Sequence, residues 1–120
     1  MITEDYVSYE TAKLLKEKGF DEPTTKSYYT EGLENPMIFS HDLMSRIKTD
    51  ELLCPTLQMA IKWLREEHNI AIDTEWEHMW YAYIKPMTFE PFNEVNYQCA
   101  SSKYEEACEV AIKYCLENLI

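Results

Sequence analysis

The chain has 120 residues, of which 46% are hydrophobic and 13% aromatic, so it can bury a core and is not expected to be disordered. It carries 22 acidic against 11 basic side chains, and the net charge of −11 disfavours binding to nucleic acid or to an anionic membrane. No apolar run approaches the ~20 residues of a membrane-spanning helix, and the start MITEDYVSYE is acidic where a secretion signal would be basic. We therefore expect no nucleic-acid or membrane partner and no secretion.

A first helix is predicted from the residues at its two ends. Ser8 can accept a backbone N–H as its N-cap. Gly19 is expected to end the helix, because glycine readily adopts the left-handed conformation found past a helix end. Leu15 and Phe20 have the spacing of the apolar contact that accompanies such a cap.

Two short strands are predicted next, at Thr25–Thr30 and around Met37–Phe39. The first ends at the turn signal Glu31-Gly32, and the second follows the break Asn35-Pro36. From Ser40 to Leu53 the pattern is weak and fits equally well a short helix or a loop with one turn.

The middle of the chain, Cys54 to Pro86, holds all three tryptophans and predicts a helix followed by a hairpin. Pro55 suits the first helical position, and Asn69 tolerates the left-handed conformation past the last. Apolar residues cover roughly 200° of the helix, about twice the stripe of an ordinary surface helix. We expect a sheet on one side of this helix and another helix on the other. Leu57, Ala60, Ile61, Leu64 and His68 recur at helical spacing, and Met59 and Trp63 widen the apolar arc.

The alternation of apolar residues sets the register of the hairpin. A two-residue turn at Glu77-His78 would mix the two faces of the ribbon. An odd loop, Trp76-Glu77-His78, instead places Ile70, Ile72 and Thr74 on the same face as Trp80, Ala82 and Ile84. The outer face then carries Asp73, Glu75, Met79, Tyr81, Tyr83 and Lys85.

The last part of the chain predicts an irregular segment and a helix. Residues 87–100 are expected to be irregular, since Pro91 cannot lie in a central strand. Ser102 and Glu105 have the spacing of a capping box at the start of the final helix. The elements together predict an α+β fold, with a small, mainly antiparallel sheet of three to four strands packed against three helices. Their order is α-β-(β)-α-β-β-α, in a single domain over residues 1–120.

The four cysteines are interpreted as reduced thiols. They have no C-x-x-C spacing, and no secretion signal precedes them, so core packing is favoured over disulfides or metal binding. Cys54 lies just before a helix, as a nucleophilic cysteine can, but no histidine is placed by the sequence to activate it. The cysteines are Cys54, Cys99, Cys108 and Cys115.

The histidines do not predict a metal site. His68 and His78 would lie about 20–25 Å apart at the two ends of an extended strand, too far to share a zinc ion. His41 has no evident partner. The sequence also has no glycine-rich phosphate loop and no G-x-S-x-G elbow. We therefore expect no catalytic residue, no cofactor, no metal ligand and no enzymatic activity.

An aromatic patch with a charged rim is predicted on the outer hairpin face. Its members are Trp76, Met79, Tyr81 and Tyr83. Aromatic patches with polar rims often mark protein interfaces. The alternative is that another segment of the chain, around Phe89 and Phe92, covers the patch.

Three stretches carry a family resemblance: VSYETAKLLKEKGFDEP, PTLQMAIKWLREEHNIAI and YEEACEVAIKYCLENLI. They resemble a family of short proteins found in phages and prophages of gut Bacteroidetes. The resemblance implies the cytoplasm of an infected or lysogenic bacterium, in agreement with reduced cysteines. It implies no active site, because the family has none assigned.

The leading functional hypothesis is a small acidic interaction protein, which binds an unidentified protein or forms a homodimer. The wide apolar arcs of the second and third helices motivate the homodimer. The alternative is an acidic mimic of nucleic acid that occupies a host DNA-binding protein. The charge of −11 motivates this alternative, which requires carboxylates arrayed over one continuous face.

Overall fold

The computed structural model describes residues 2–29, 35–40, 51–87 and 97–120. Within them the chain forms three helices and two three-stranded antiparallel sheets, which confirms the α+β class. The strands form two sheets, whereas the sequence predicted one. The fold divides into two units, Met1–Thr56 and Leu57–Ile120. The single domain over residues 1–120 stays a prediction.

The first unit contains helix α1 and the sheet β2-β1-β3, in which both neighbours run antiparallel to β1. Strands β1 and β2 confirm the two predicted strands. Strand β3 occupies the end of the segment for which a short helix or a loop was predicted up to Leu53. The predicted turn at Glu31-Gly32 lies outside the described residues. The elements are α1 Tyr9–Glu17, β1 Lys26–Tyr29, β2 Met37–Ser40 and β3 Glu51–Cys54.

Both ends of α1 form as the sequence predicts. The Ser8 hydroxyl accepts the backbone N–H of Thr11 at 3.2 Å, which makes it the N-cap. Gly19 has a φ of 94°, and its N–H donates to the carbonyl three residues before it. The N–H of Phe20 donates to the Leu15 carbonyl at 2.9 Å, and both side chains are buried. These two hydrogen bonds are those of a Schellman motif.

Gly19→Ala is expected to lower the free energy of unfolding by about 1 kcal/mol, because a Cβ disfavours a positive φ. Apart from the chain neighbours, no heavy atom lies within 4 Å of an added Cβ, so the cost is conformational and not steric. Urea unfolding followed by circular dichroism measures it. Exposed Glu17→Ala is the control, with a change below about 0.5 kcal/mol. Equal effects of the two substitutions would contradict the assigned cap.

Val7, just before α1, accepts one hydrogen bond from the first sheet and donates another to the residue that follows it. The Tyr28 hydroxyl donates to the Val7 carbonyl at 2.7 Å, and the Val7 N–H donates to the Pro55 carbonyl at 3.1 Å. The ring of Tyr28 also meets that of Tyr9 edge-on at 5.5 Å. Pro55 lies between β3 and the next helix, which begins at Leu57, so its predicted place as the first helical residue is wrong.

The second unit contains two helices and the sheet β4-β5-β6, again fully antiparallel. Helix α2 packs against β4 and α3, which confirms that it is covered by a sheet and a helix. It ends before Asn69, whose φ of 54° confirms the predicted end. Met59 is 36% exposed, so the buried arc is narrower than predicted. The elements are α2 Leu57–His68, β4 Ile70–Trp76, β5 Trp80–Pro86, β6 Tyr97–Ser101 and α3 Tyr104–Asn118.

The hairpin of β4 and β5 has the predicted faces but a shifted loop. Ile72 pairs with Ile84, and Trp76 pairs with Trp80. The loop is therefore residues 77–79, with His78 at a φ of 63°, and not residues 76–78. Both loops have three residues, so the same side chains share the inner face in either register.

Strand β6 and the start of α3 differ from the predictions. Residues 97–101 form a strand that pairs with β5, and residues 88–96 lie outside the described part of the chain. The N-cap of α3 is Lys103, which makes no side-chain capping bond, so the capping box of Ser102 and Glu105 is wrong. Ser101 takes part of that role, since its hydroxyl accepts the Lys103 N–H at 3.2 Å.

Helix α3 covers the inner face of the second sheet. The Cys99 thiol donates to the Ala107 carbonyl at 3.4 Å, and the rings of Tyr97 and Tyr114 stack at 3.8 Å. The helix residues that face the core are mostly small, which allows close approach to the strands. The buried residues of α3 are Ala107, Cys108, Ala111, Ile112, Cys115 and Leu116.

Candidate functional site

The second sheet has one face packed against α2 and α3 and an opposite face, here called the outer face, that retains exposed surface. Strand alternation and register assign the outer-face residues, since directly paired residues share a face. Each of them keeps part of its surface accessible. They are Ala71, Asp73, Glu75, Tyr81, Tyr83, Lys85, Gln98 and Ala100.

Two tyrosines form the centre of the outer face. The rings of Tyr81 and Tyr83 stack with centroids 6.3 Å apart and an interplanar angle of 17°. Lys85 flanks the stack, with its Nζ 3.0 Å from Asp73 Oδ2 and 6.0 Å from the centroid of the Tyr83 ring. Contacts this exposed contribute little to stability.

The acidic side chains around the stack act on the Tyr83 hydroxyl. Partial burial, followed by the charges of Glu75 and then Tyr81 and Glu77, raises the pKa of Tyr83, while Lys85 lowers it. Like any tyrosine, Tyr83 is protonated at neutral pH, so its hydroxyl can donate a hydrogen bond. The outer face thus combines aromatic area, a hydrogen-bond donor and negative potential.

The structure divides the four predicted patch residues. Tyr81 and Tyr83 lie together on the outer face, as predicted. Met79 lies in the loop and is 38% exposed. Trp76 lies on the inner-face side, 5.7 Å from the ring of Trp80, although it is 59% exposed. The sequence had placed Trp76 in the loop, and the shifted register moves it away from the tyrosines.

An aromatic row at the loop end of the inner face was not anticipated. Trp76 contacts Trp80, and Trp80 meets Tyr104 at 5.0 Å in a T-shaped arrangement. The Gln58 amide donates to the Tyr104 hydroxyl at 2.6 Å, and burial is the main cause that raises the pKa of Tyr104. The correct hairpin register would have predicted this row, because a loop over residues 77–79 pairs Trp76 with Trp80.

The cysteines are all free thiols, as predicted. Burial is the main cause that raises the pKa of Cys99 and Cys108, and it raises the pKa of Cys115 to about 12. These three groups are protonated at neutral pH and are poor nucleophiles. Among the described residues, no three histidines, cysteines or acids come together in a way that could hold a metal ion.

Cys115 is expected to make the free energy of unfolding depend on pH. Between about pH 9 and about pH 12, this free energy should fall by roughly 1 kcal/mol per pH unit. Below pH 9 the thiol is protonated in both states, so its full contribution is present. Above pH 9 the unfolded thiol ionises while the folded one does not, which favours unfolding.

Urea unfolding under reducing conditions at about pH 8 and about pH 10.5 tests this pH dependence. The loss of stability between the two values should be smaller in Cys115→Ala than in the wild type. Because only the pH-dependent part is compared, a constant destabilisation by the substitution does not matter. An identical pH dependence in both proteins would contradict the burial of this thiol.

The described residues of the first unit also line a cleft of about 220 Å³. Helix α1, the segment after it and β3 form its walls. The lining contains one lysine and one aspartate but no histidine, cysteine or serine, so it offers no nucleophile with a base. The lining residues are Ala12, Lys16, Phe20, Asp21 and Leu53.

Comparisons with known proteins do not add a relative. No family model matches the chain, and no curated protein or solved structure is significantly similar to it. None of the helices in the described ranges combines the length and apolar character needed to cross a bilayer. Among the described residues, the outer face and the end of the β4–β5 hairpin form the candidate site.

Proposed function

We propose that the protein is a non-enzymatic interaction module that binds another protein through the β4–β5 hairpin. The stacked, partly exposed Tyr81 and Tyr83 on the outer face are the observation that supports this most. Tyrosine is enriched at protein interfaces because its ring offers a large contact area and its hydroxyl a hydrogen bond. The ion pair of Lys85 with Asp73 flanks the stack at one side.

The end of the hairpin extends the contact surface beyond the tyrosines. Trp76 is 59% exposed, and Met79 is 38% exposed. Large apolar side chains in such positions favour an interface, and tryptophan is the residue most often found at interface hot spots. A partner that wraps the end of the hairpin can contact the outer face and Trp76 together.

The chemistry of this surface supports binding more than catalysis. A tyrosine hydroxyl is protonated at neutral pH and burial raises the pKa of Tyr83 further, so this group is a weak nucleophile. The thiols with raised pKa values face the core of the second unit. What the outer face offers a ligand is contact area, hydrogen bonds and charge.

The cellular setting is also a proposal. We place the protein in the cytoplasm of a bacterium that carries a phage or prophage, because the three sequence stretches resemble such a family. Four free cysteines support a reducing compartment.

A second candidate is the acidic mimic of nucleic acid. The net charge of −11 favours it, as do Asp73 and Glu75 on one strand and Glu77 in the adjoining loop. Lys85 pairs with Asp73 and neutralises part of this row. A mimic would bind a DNA-binding protein, and DNA would displace it.

Affinity capture from bacterial lysate, combined with light scattering, tests the proposal. The double variant Tyr81→Ser/Tyr83→Ser should lose a protein that the wild type retains, since it removes the ring stack. Val110→Ser, at an exposed position on α3, is the matched control and should retain it. If the partner is a second copy, the wild-type mass should be double that of the variant. A monomer that recovers no protein, or equal recovery by the double variant, would contradict the proposal.

A further inference from the structure

One end of the tyrosine stack already holds a cation of this chain. Lys85 lies over the ring of Tyr83 and pairs with Asp73, which is directly opposite Tyr83 in the register. A ring face and a carboxylate across the strand pair thus bind one ammonium group. This is the arrangement that stabilises a cation on a protein surface.

The other end of the stack also has a ring face and a carboxylate across the strand pair, but no described lysine lies over its ring. Glu75 is directly opposite Tyr81, and Glu77 follows in the loop next to His78. Within the described residues, the cation–π contacts involve Tyr6, Tyr9 and Tyr83 but not Tyr81. The ion pair seen among the described residues joins Lys85 to Asp73 and involves neither Glu75 nor Glu77.

We propose that the Tyr81 end of the stack receives an arginine or lysine side chain from the partner, which therefore presents a basic segment. This inference rests on the proposed function and names the class of partner. Arginine is preferred, because its planar guanidinium can stack on Tyr81 while it pairs with Glu75.

The charge of the whole chain favours the same partner. A net charge of −11 attracts a basic segment and accelerates its association, whereas it repels the phosphates of a nucleic acid. After burial, the charges of Glu75 and Glu77 also raise the pKa of Tyr83, so negative potential reaches this end of the hairpin.

Binding of a hexa-arginine peptide to the full chain tests the inference, with hexa-glutamate as the inactive peptide. Amide chemical shifts at about 50 mM salt should change around β4, β5 and their loop, and the affinity should fall at about 300 mM salt. Glu75→Gln and Tyr81→Leu should each weaken binding roughly two- to fivefold. Glu117→Gln removes the same charge from an exposed position on α3 and should change the affinity less than about twofold.

The outcomes separate this inference from the proposed function. No saturable binding of hexa-arginine, or equal weakening by Glu75→Gln and Glu117→Gln, would overturn the inference. If the captured protein depends on the tyrosine pair but not on Glu75 or salt, the proposed interface stands and the basic partner does not. If capture is also independent of the tyrosine pair, both fail.

Discussion

Ile84→Asp is expected to unfold the Leu57–Ile120 unit, whereas Tyr83→Asp, one residue earlier, is expected to leave it folded. Ile84 has no exposed surface and lies on the inner face between Ile72 and Tyr97. A carboxylate there would be buried without a cation, at a cost of more than about 4 kcal/mol. That is comparable with the total stability of a small protein, about 5–15 kcal/mol.

Urea unfolding followed by tryptophan fluorescence measures both variants. All three tryptophans belong to this unit, so the signal reports on it alone. The wild type and Tyr83→Asp should show cooperative transitions whose free energies differ by less than about 1 kcal/mol. Ile84→Asp should show none. The reverse pattern would mean that the two faces of the sheet are inverted, and the proposed interface would then lie in the core.

Leu64→Ala is expected to lower the free energy of unfolding by about 3 kcal/mol. Leu64 is fully buried on α2, the helix that packs against β4 and α3. Shortening its side chain removes apolar contacts and leaves a cavity, for which losses of about 2–5 kcal/mol are typical. Chemical unfolding with the same fluorescence signal gives the value.

Met59→Ala on the same helix is the matched control for Leu64→Ala. Met59 is 36% exposed, so its truncation should cost less than about 1 kcal/mol. Equal losses for the two variants would show that α2 is not oriented as described, with Leu64 towards the sheet and the second helix.

Local chemistry explains which elements were predictable. The start of α1 depends on a hydrogen bond from Thr11 to Ser8, and its end depends on the φ of Gly19. Both features act within a few residues and can be read directly from the sequence. The faces of the hairpin were equally predictable, because the alternation from Ile70 to Ile84 separates buried from exposed positions.

Short strands with distant partners were not predictable. Strand β3 has four residues, and its partner β1 lies more than twenty residues earlier in the chain. Strand β6 alternates Tyr97, Cys99 and Ser101 inward with Gln98 and Ala100 outward, so its apolar contrast is weak. Such segments become strands through pairing, and the sequence alone carries little of that signal.

The candidate interface was only partly predictable, because its residues depend on the position of the hairpin loop. A loop with an odd number of residues places Tyr81 and Tyr83 on the outer face wherever the loop lies, so their face could be predicted. The position of the loop did not follow, and it decides the face of Trp76. The pairing of Trp76 with Trp80 adds a ring contact that the predicted register lacks.

Photo-crosslinking from the outer face tests the central claim most directly. Benzoylphenylalanine placed at Tyr83 and, in a second protein, at Val110 compares the outer face with an exposed site on α3. After irradiation in bacterial cells, we predict a discrete crosslinked product from position 83 and none from position 110. A product from both positions, or from neither, would contradict a docking surface on the outer face of the second sheet.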